Sequence, residues 1–309
     1  MRLRARRIAG SPVASVLIGA SLWAMIGPTY ALIQDRVAID EVTLVTLRAA
    51  GAALLSLSWF GAGDRSSLRV DRSDVGRMVV FGLVSVTAFY LVLIYAFRYS
   101  SVAVGTLLLY LAPALVTLGA ALWLDDPLTR TKIAALILSF AGCFLIVEAF
   151  RPGTLSANIV GIGFGLASAV AYGSYSLMAK RLMRQYSAGT LMVWYLAVGA
   201  SGLLVIKLAV SPTEWPSFGA SAGIALYCGL MITILPVAFY TYGLQRMPSS
   251  EASIVATIEP VVAMVLAFWL LGERLGPIQL AGAVCVIGGV VLLAAVGRRN
   301  RVARVQSHE

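Results

Sequence analysis

Charge is scarce in this chain: 12% of its 309 residues are Asp, Glu, Lys or Arg, against 60% hydrophobic residues. Ordinary soluble domains carry about 25% charge, so a soluble enzyme of this length is excluded. Histidine is almost absent; its one copy, His308, is next to the last residue, which leaves no imidazole base inside the apolar body. Cysteine is limited to Cys143, Cys228 and Cys285, an odd set without CxxC spacing, and that excludes a disulfide framework or a thiolate metal site. No Walker A sequence occurs, so ATP is not the evident energy source. No cofactor or metal is expected.

What the chain has instead is length of apolar sequence. A helix crossing about 30 Å of hydrocarbon needs about 20 apolar residues. Ten such segments are predicted: 12–33, 42–61, 76–97, 100–124, 131–150, 158–180, 188–209, 218–241, 248–271 and 277–297. They consume most of the chain and leave only short loops. The expected fold class is an all-α polytopic membrane protein, and its first partner is the lipid bilayer. Pro12 to Ile33 is too long for a signal-peptide core and lacks an evident cleavage site, so it reads as the first spanning helix.

The net charge of +10 follows the membrane topology and not a nucleic-acid patch. With the N-terminus inside, the inner segments hold eighteen of the Lys and Arg residues, from Arg2, Arg4, Arg6 and Arg7 through Arg65, Lys132, Lys180 and Arg246 to Arg298 and Arg304. The outer ones hold five: Arg36, Arg98, Arg151, Lys207 and Arg274. This positive-inside bias places both termini in the cytoplasm.

The chain also repeats itself. Thr106, Tyr110 and Pro113 return 147 residues later as Ser253, Thr257 and Pro260. Tyr95 maps to Tyr242, Leu128 to Leu275, Gly142 to Gly289, Asp126 to Glu273 and Thr43 to Thr190. The division falls in the Pro/Gly turn after Arg151. Five helices is an odd number, so the second half enters the membrane in the opposite sense, and ten transmembrane helices form two inverted five-helix repeats. Residues 12–150 form the first repeat, 158–297 the second and 298–309 a basic cytoplasmic tail, all within one membrane domain.

Each repeated trio places two hydroxyls and a proline on one helix face. A mid-helix proline leaves a carbonyl unpaired, which lipid does not tolerate unless protein or water satisfies it. These faces are therefore expected to look inward, with Pro113 and Pro260 as hinges. Trp23 on helix 1, Thr87 and Tyr90 on helix 3, Ser168, Tyr172 and Tyr175 on helix 6, and Thr233 and Tyr240 on helix 8 extend the inward set. With Thr106, Tyr110, Ser253 and Thr257 they predict a substrate cavity for a small solute with polar and apolar parts. The competing readings are hydroxyls bonded to their own helix carbonyls and an aromatic belt at the membrane interface; the belt fits Tyr30 and Tyr242 near helix ends.

Two charges fall within helices. Glu259, directly before Pro260, is the acid deepest in any predicted helix, so proton coupling through a side chain would use it. The structural alternative is that it bonds the backbone the proline disrupts. Arg48 in helix 2 reads mainly as a side chain that snorkels outward or braces a neighbouring helix, with contact to an anionic substrate as the minor alternative. Gly161, Gly165, Ala169 and Gly173 form a small-residue stripe for close packing; Gly142, Gly282, Gly288 and Gly289 are read likewise. Gly199-Ala200-Ser201-Gly202 matches the GxSG of intramembrane serine proteases, but no histidine base accompanies it.

Ile258-Glu259-Pro260-Val261-Val262, followed by Leu270-Leu271-Gly272-Glu273-Arg274-Leu275 and by Gly282 and Gly289, resembles the EamA type of the drug/metabolite transporter superfamily. A weaker first copy runs Leu111-Ala112-Pro113-Ala114 to Trp123-Leu124-Asp125-Asp126-Pro127-Leu128, departing where the family more often has Gly-Glu. The resemblance implies a cavity lined by helices 1, 3, 4, 6, 8 and 9 and alternating access for small metabolites, amino acids among them. A secondary transporter exporting amino acids, aromatic ones included, is the expectation, with protons as the candidate coupling ion and no enzymatic activity. The alternatives are a drug or nucleotide-sugar carrier and a non-transporting sensor.

Overall fold

The computed structural model describes residues 11–63, 68–152, 158–272 and 274–306. Arg2, Arg4, Arg6, Arg7, Arg65, Glu273, His308 and the 153–157 part of the inter-repeat turn lie outside the described residues. The chain is built of helices: α1 (Pro12–Arg36), α2 (Glu41–Gly63), α3 (Arg72–Tyr99), α4 (Val102–Trp123), α6 (Ile159–Leu182), α7 (Ala188–Val210), α8 (Phe218–Arg246) and α9 (Ser249–Leu270), with α5 (Arg130–Ile146) and α10 (Pro277–Gln306). Among the described residues, nine are long and apolar enough to cross a membrane. The remaining one, α5, has 17 residues, at the lower limit of about 17 for a spanning helix.

Polar residues start these helices. The side chains of Asp40, Ser101, Thr129, Asn158, Ser187 and Ser217 each accept a hydrogen bond from a backbone N–H three residues on, satisfying donors left free at a helix start. Asp40 and Ser187 are repeat mates, so this cap survived duplication. At the ends of α4 and α9 stand Asp125 (φ 56) and its mate Gly272 (φ 70). The left-handed turn suits glycine; aspartate is among the few other residues that adopt it at modest cost.

The packing is a pseudo-twofold exchange of the halves. α1 lies against α8 and α9, while α6 lies against α3 and α4; α2 pairs with α7, and α5 with α10. Glycines permit the approach. A Cβ on Gly142 would sit 2.6 Å from the Gly282 carbonyl oxygen, and one on Gly51 would sit 2.0 Å from that of Ala225. Gly161, Gly165 and Gly173 meet Tyr99, Leu108 and Val116, so the α6 stripe packs against the end of α3 and against α4. Gly288 faces open space within 4 Å and is not part of this scaffold. Gly199 and Gly202 seat Val86 and Thr87 of α3. Ser201 donates to the Ala197 carbonyl (2.8 Å), so the GxSG stretch is a packing surface.

Three helices break in mid-course. α1 turns at Ala24-Met25, α4 at Tyr110-Leu111 and α9 at Thr257-Ile258. Pro28, Pro113 and Pro260 follow each break and lack the N–H that would continue the ladder. The expected bends at Pro113 and Pro260 are thus present, joined by one in α1 that has no counterpart in α6. Two further irregularities were not legible in the sequence: π-helical turns at Leu83–Ala88 of α3 and Leu230–Ile234 of α8, starting at repeat-equivalent positions.

Candidate functional site

The breaks and π-turns converge on the middle of the bundle. Pro236 has no N–H to offer the Ile232 carbonyl, four residues earlier. Arg48 supplies the missing donor: its Nη2 donates to Ile232 O at 2.9 Å, and its Nε donates to Thr233 Oγ1 at 2.7 Å. Thr233 in turn donates to the Cys228 carbonyl (3.0 Å) across the π-turn. Nη1 donates to the Tyr30 hydroxyl (3.2 Å), and the guanidinium lies 5.1 Å from the centre of the Tyr90 ring. Arg48, 2% exposed, is a brace between α2, α8 and α1. Tyr30 belongs to that brace and not to an interfacial belt.

Aromatic rings continue from there. Trp23 packs against Tyr172 (6.3 Å between centres) and Tyr240 (5.3 Å); Phe89 packs against Tyr172 (5.5 Å) and Tyr90 (5.1 Å). Behind them Tyr175 shares a hydrogen bond with Thr241 (2.5 Å) and Tyr240 one with Ser176 (2.8 Å). Tyr175 also packs against Tyr195 and Phe81. Ile258, the residue before Glu259, packs against the cluster containing Tyr240 and also against the one shared with Tyr110, Val261 and Met264. Glu259 interacts electrostatically with Tyr90, Tyr110 and Tyr172, and with Arg48.

The sequence-predicted residues therefore divide. Trp23, Tyr90, Tyr110, Tyr172 and Glu259 are half-buried at mid-helix positions. Tyr175, Tyr240 and Thr233 are buried behind them and hydrogen-bonded to other helices. Thr87 donates to the Gly199 carbonyl of α7 (3.0 Å) and so faces the scaffold. Ser168, Ser253 and Thr257 donate to their own helix at Gly165, Ser250 and Ile254, and Thr117 does the same at Pro113. Thr106 is half-buried near the start of α4. Glu259 forms no hydrogen bond with the backbone that Pro260 disrupts, among the described residues. Phe89, Phe81, Tyr195 and Ser176 were not anticipated. Tyr195 could have been found as the repeat mate of Arg48; the others carry no distinguishing pattern.

The first part of α9 packs closely on the second part of α4. The reciprocal pair, the first part of α4 with the second part of α9, has no comparable contact. The bundle is thus closed toward Ser249 and parted toward Leu271. Two surface grooves, near Met247 and near Trp194, are separate from this region.

An inverted-repeat bundle with broken helices meeting at its midplane defines the class of polytopic membrane transporters. The sequence profile of the EamA-like transporter family matches residues 11–148 and again 159–295. The chain belongs to the EamA-like transporter family, within the drug/metabolite transporter superfamily. It is 27% identical over 291 residues to the "uncharacterized inner membrane transporter YicL" of Salmonella typhimurium, covering 93% of this chain and 96% of that one. It is 26% identical over 282 residues to a "probable terminal-alkyne amino-acid exporter" of Streptantibioticus cattleyicolor, covering 90% and 92%. A solved crystal structure superposes with a TM-score of 0.80 at 17% identity, covering 93% of this chain and 98% of that one, and shares the fold.

Proposed function

We propose that this transporter is a secondary active exporter of amino acids, aromatic ones among them, in a bacterial inner membrane with both termini cytoplasmic. The observation that carries the reading is the half-buried set Trp23, Tyr90, Tyr110 and Tyr172 around Glu259, at the breaks of α1, α4 and α9. Rings with hydroxyl or indole tips suit a solute having an apolar body and polar ends. Tyr175, Tyr240, Thr233 and Thr87 support these helices from behind, with Thr106, Ser168, Ser253 and Thr257 in the same faces. Pro113 and Pro260 are the hinges about which α4 and α9 rock, and Glu259 is the group through which protons would be coupled. The family relative named as a probable amino-acid exporter supports the choice of solute. A nucleotide-sugar carrier would want free cations for phosphate, whereas Arg48 is committed to Thr233, Ile232 and Tyr30.

Counterflow in proteoliposomes tests this reading. Vesicles are loaded with each unlabelled amino acid and entry of the labelled form is followed. A transient overshoot for aromatic or aliphatic amino acids is expected. Its absence across the panel, in monodisperse protein, would reject amino-acid export.

A further inference from the structure

The two charges in the middle of the bundle are not equivalent. Arg48 has three N–H groups engaged by the protein and its guanidinium near the Tyr90 ring. Glu259 opens the second part of α9, is half-buried, and has no hydrogen-bond or ion-pair partner among the described residues. No Lys or Arg nitrogen of the described residues comes within the 4.0 Å of an ion pair with it. Arg48 acts on this carboxylate only through space, without an ion pair, so at that depth a proton or a bound cation is needed to neutralise it.

The surroundings favour a particular cation. Ile258, next to Glu259, and Trp23 pack against one buried cluster, and Trp23 is in ring contact with Tyr172, as Tyr172 is with Phe89. From α4, Tyr110 packs against the same cluster as Ile258, the residue before Glu259. Ring faces beside a carboxylate attract an organic ammonium more than a small hydrated ion, because the rings solvate the apolar part that carries the charge. We propose that Glu259, with Trp23, Tyr172 and Phe89, forms the ammonium subsite of the transport site, so that the substrate is recognised as an amine and its carboxylate, where it has one, is not read. The inference rests on the transport reading above and narrows it: amines lacking a carboxylate are substrates, and the matching keto acids are not.

Phenethylamine, phenylalanine and phenylpyruvate separate the two ends of the solute. Labelled phenethylamine is expected to show counterflow in proteoliposomes, blocked by excess phenylalanine and not by phenylpyruvate. Glu259→Gln should raise its half-saturating concentration about thirtyfold or more, as for loss of one partner of a buried charge pair, with partial recovery in Glu259→Asp. Trp23→Leu should raise it about fivefold. Phenylpyruvate competing as well as phenylalanine would overturn the proposal, as would unchanged phenethylamine affinity in a monodisperse Glu259→Gln protein. If no solute shows counterflow, calorimetric titration of phenethylamine in detergent decides the matter. Binding lost in Glu259→Gln would keep the subsite and reject transport of these solutes; no binding by the native protein would reject the subsite.

Discussion

Arg48 answers a defect that the chain makes elsewhere. Pro236 frees the Ile232 carbonyl, and the arginine fork closes both it and Thr233. Replacing Arg48 with methionine keeps the volume but leaves that carbonyl unpaired in a buried place. The expected cost is about 3 kcal/mol, read as a lower midpoint in thermal unfolding of the detergent-solubilised protein. Arg48→Lys should recover only part of it, since an ammonium cannot span the same fork. At the C-terminal end of α7, buried Lys207 donates to the Ser211 carbonyl (2.6 Å) and lies 3.7 Å from Asp40. Partial burial of Asp40 raises its carboxyl pKa, but Thr43, donating from hydroxyl and N–H, and Lys207 outweigh this, so it is held below its ordinary value of 3.8. A carboxyl with a folded pKa below its unfolded one contributes stability above pH 3.8 that is lost as pH falls through the lower folded value. Asp40→Asn should thus be less stable than the native protein at neutral pH, with the gap closing in the acid range below that value. A gap independent of pH would reject the linkage.

At the scale of the elements, glycine contacts decide which helices meet. Gly142 and Gly282 face each other across α5 and α10, and a Cβ on Gly142 would also fall 2.6 Å from Val286 Cγ2. Gly142→Val should destabilise by about 2 kcal/mol through overpacking. Gly288→Ala, with no atom within 4 Å of the added carbon, should change stability by less than about 0.5 kcal/mol. Chemical denaturation of both variants checks the contrast. The small-residue stripe on α6 and the prolines of α4 and α9 were legible because spacing alone puts them on a face. The π-turns were not, since Leu83–Ala88 and Leu230–Ile234 are ordinary apolar sequence and the extra residue per turn is imposed by neighbours. Hydroxyl partners were not legible for a related reason. Spacing gives the face but not the acceptor, and Ser253 and Thr257 found theirs on their own helix.

The whole molecule is less symmetric than its sequence repeat. On the closed side, the buried Asp126 carboxylate accepts from Ser250 Oγ (2.5 Å) and Ser250 N (3.3 Å) and pairs with Lys132, tying the α4–α5 turn to the start of α9. Lys180 of α6 donates to the Leu244 and Met247 carbonyls at 2.6 and 2.9 Å. The repeat mates of Ser250 and Lys180 are Ala103 and Ile33, which have no side-chain group to make such bonds. Removing the tie by Asp126→Asn with Ser250→Ala should loosen closure on that side. Labelling of a cysteine at Ser253 by a membrane-impermeant maleimide, added from the Ser249 side, is expected to rise several-fold. Unchanged labelling would show that packing of α9 on α4 alone keeps that side shut.

By itself the sequence determined the membrane class, the ten apolar segments, the duplication with its odd helix number and the proline breaks, because each follows from hydropathy and spacing along one chain. The tertiary structure decided which groups are free. Arg48 and Glu259 look alike as charges in apolar helices, yet one is engaged by α8 and α1 while the other has no hydrogen bond or ion pair among the described residues. Partnership is a distance between segments far apart in the chain, and no local pattern encodes it. The same holds for the closed side: Asp126 and Ser250 are 124 residues apart, and only the packing of α9 on α4 brings them within a hydrogen bond.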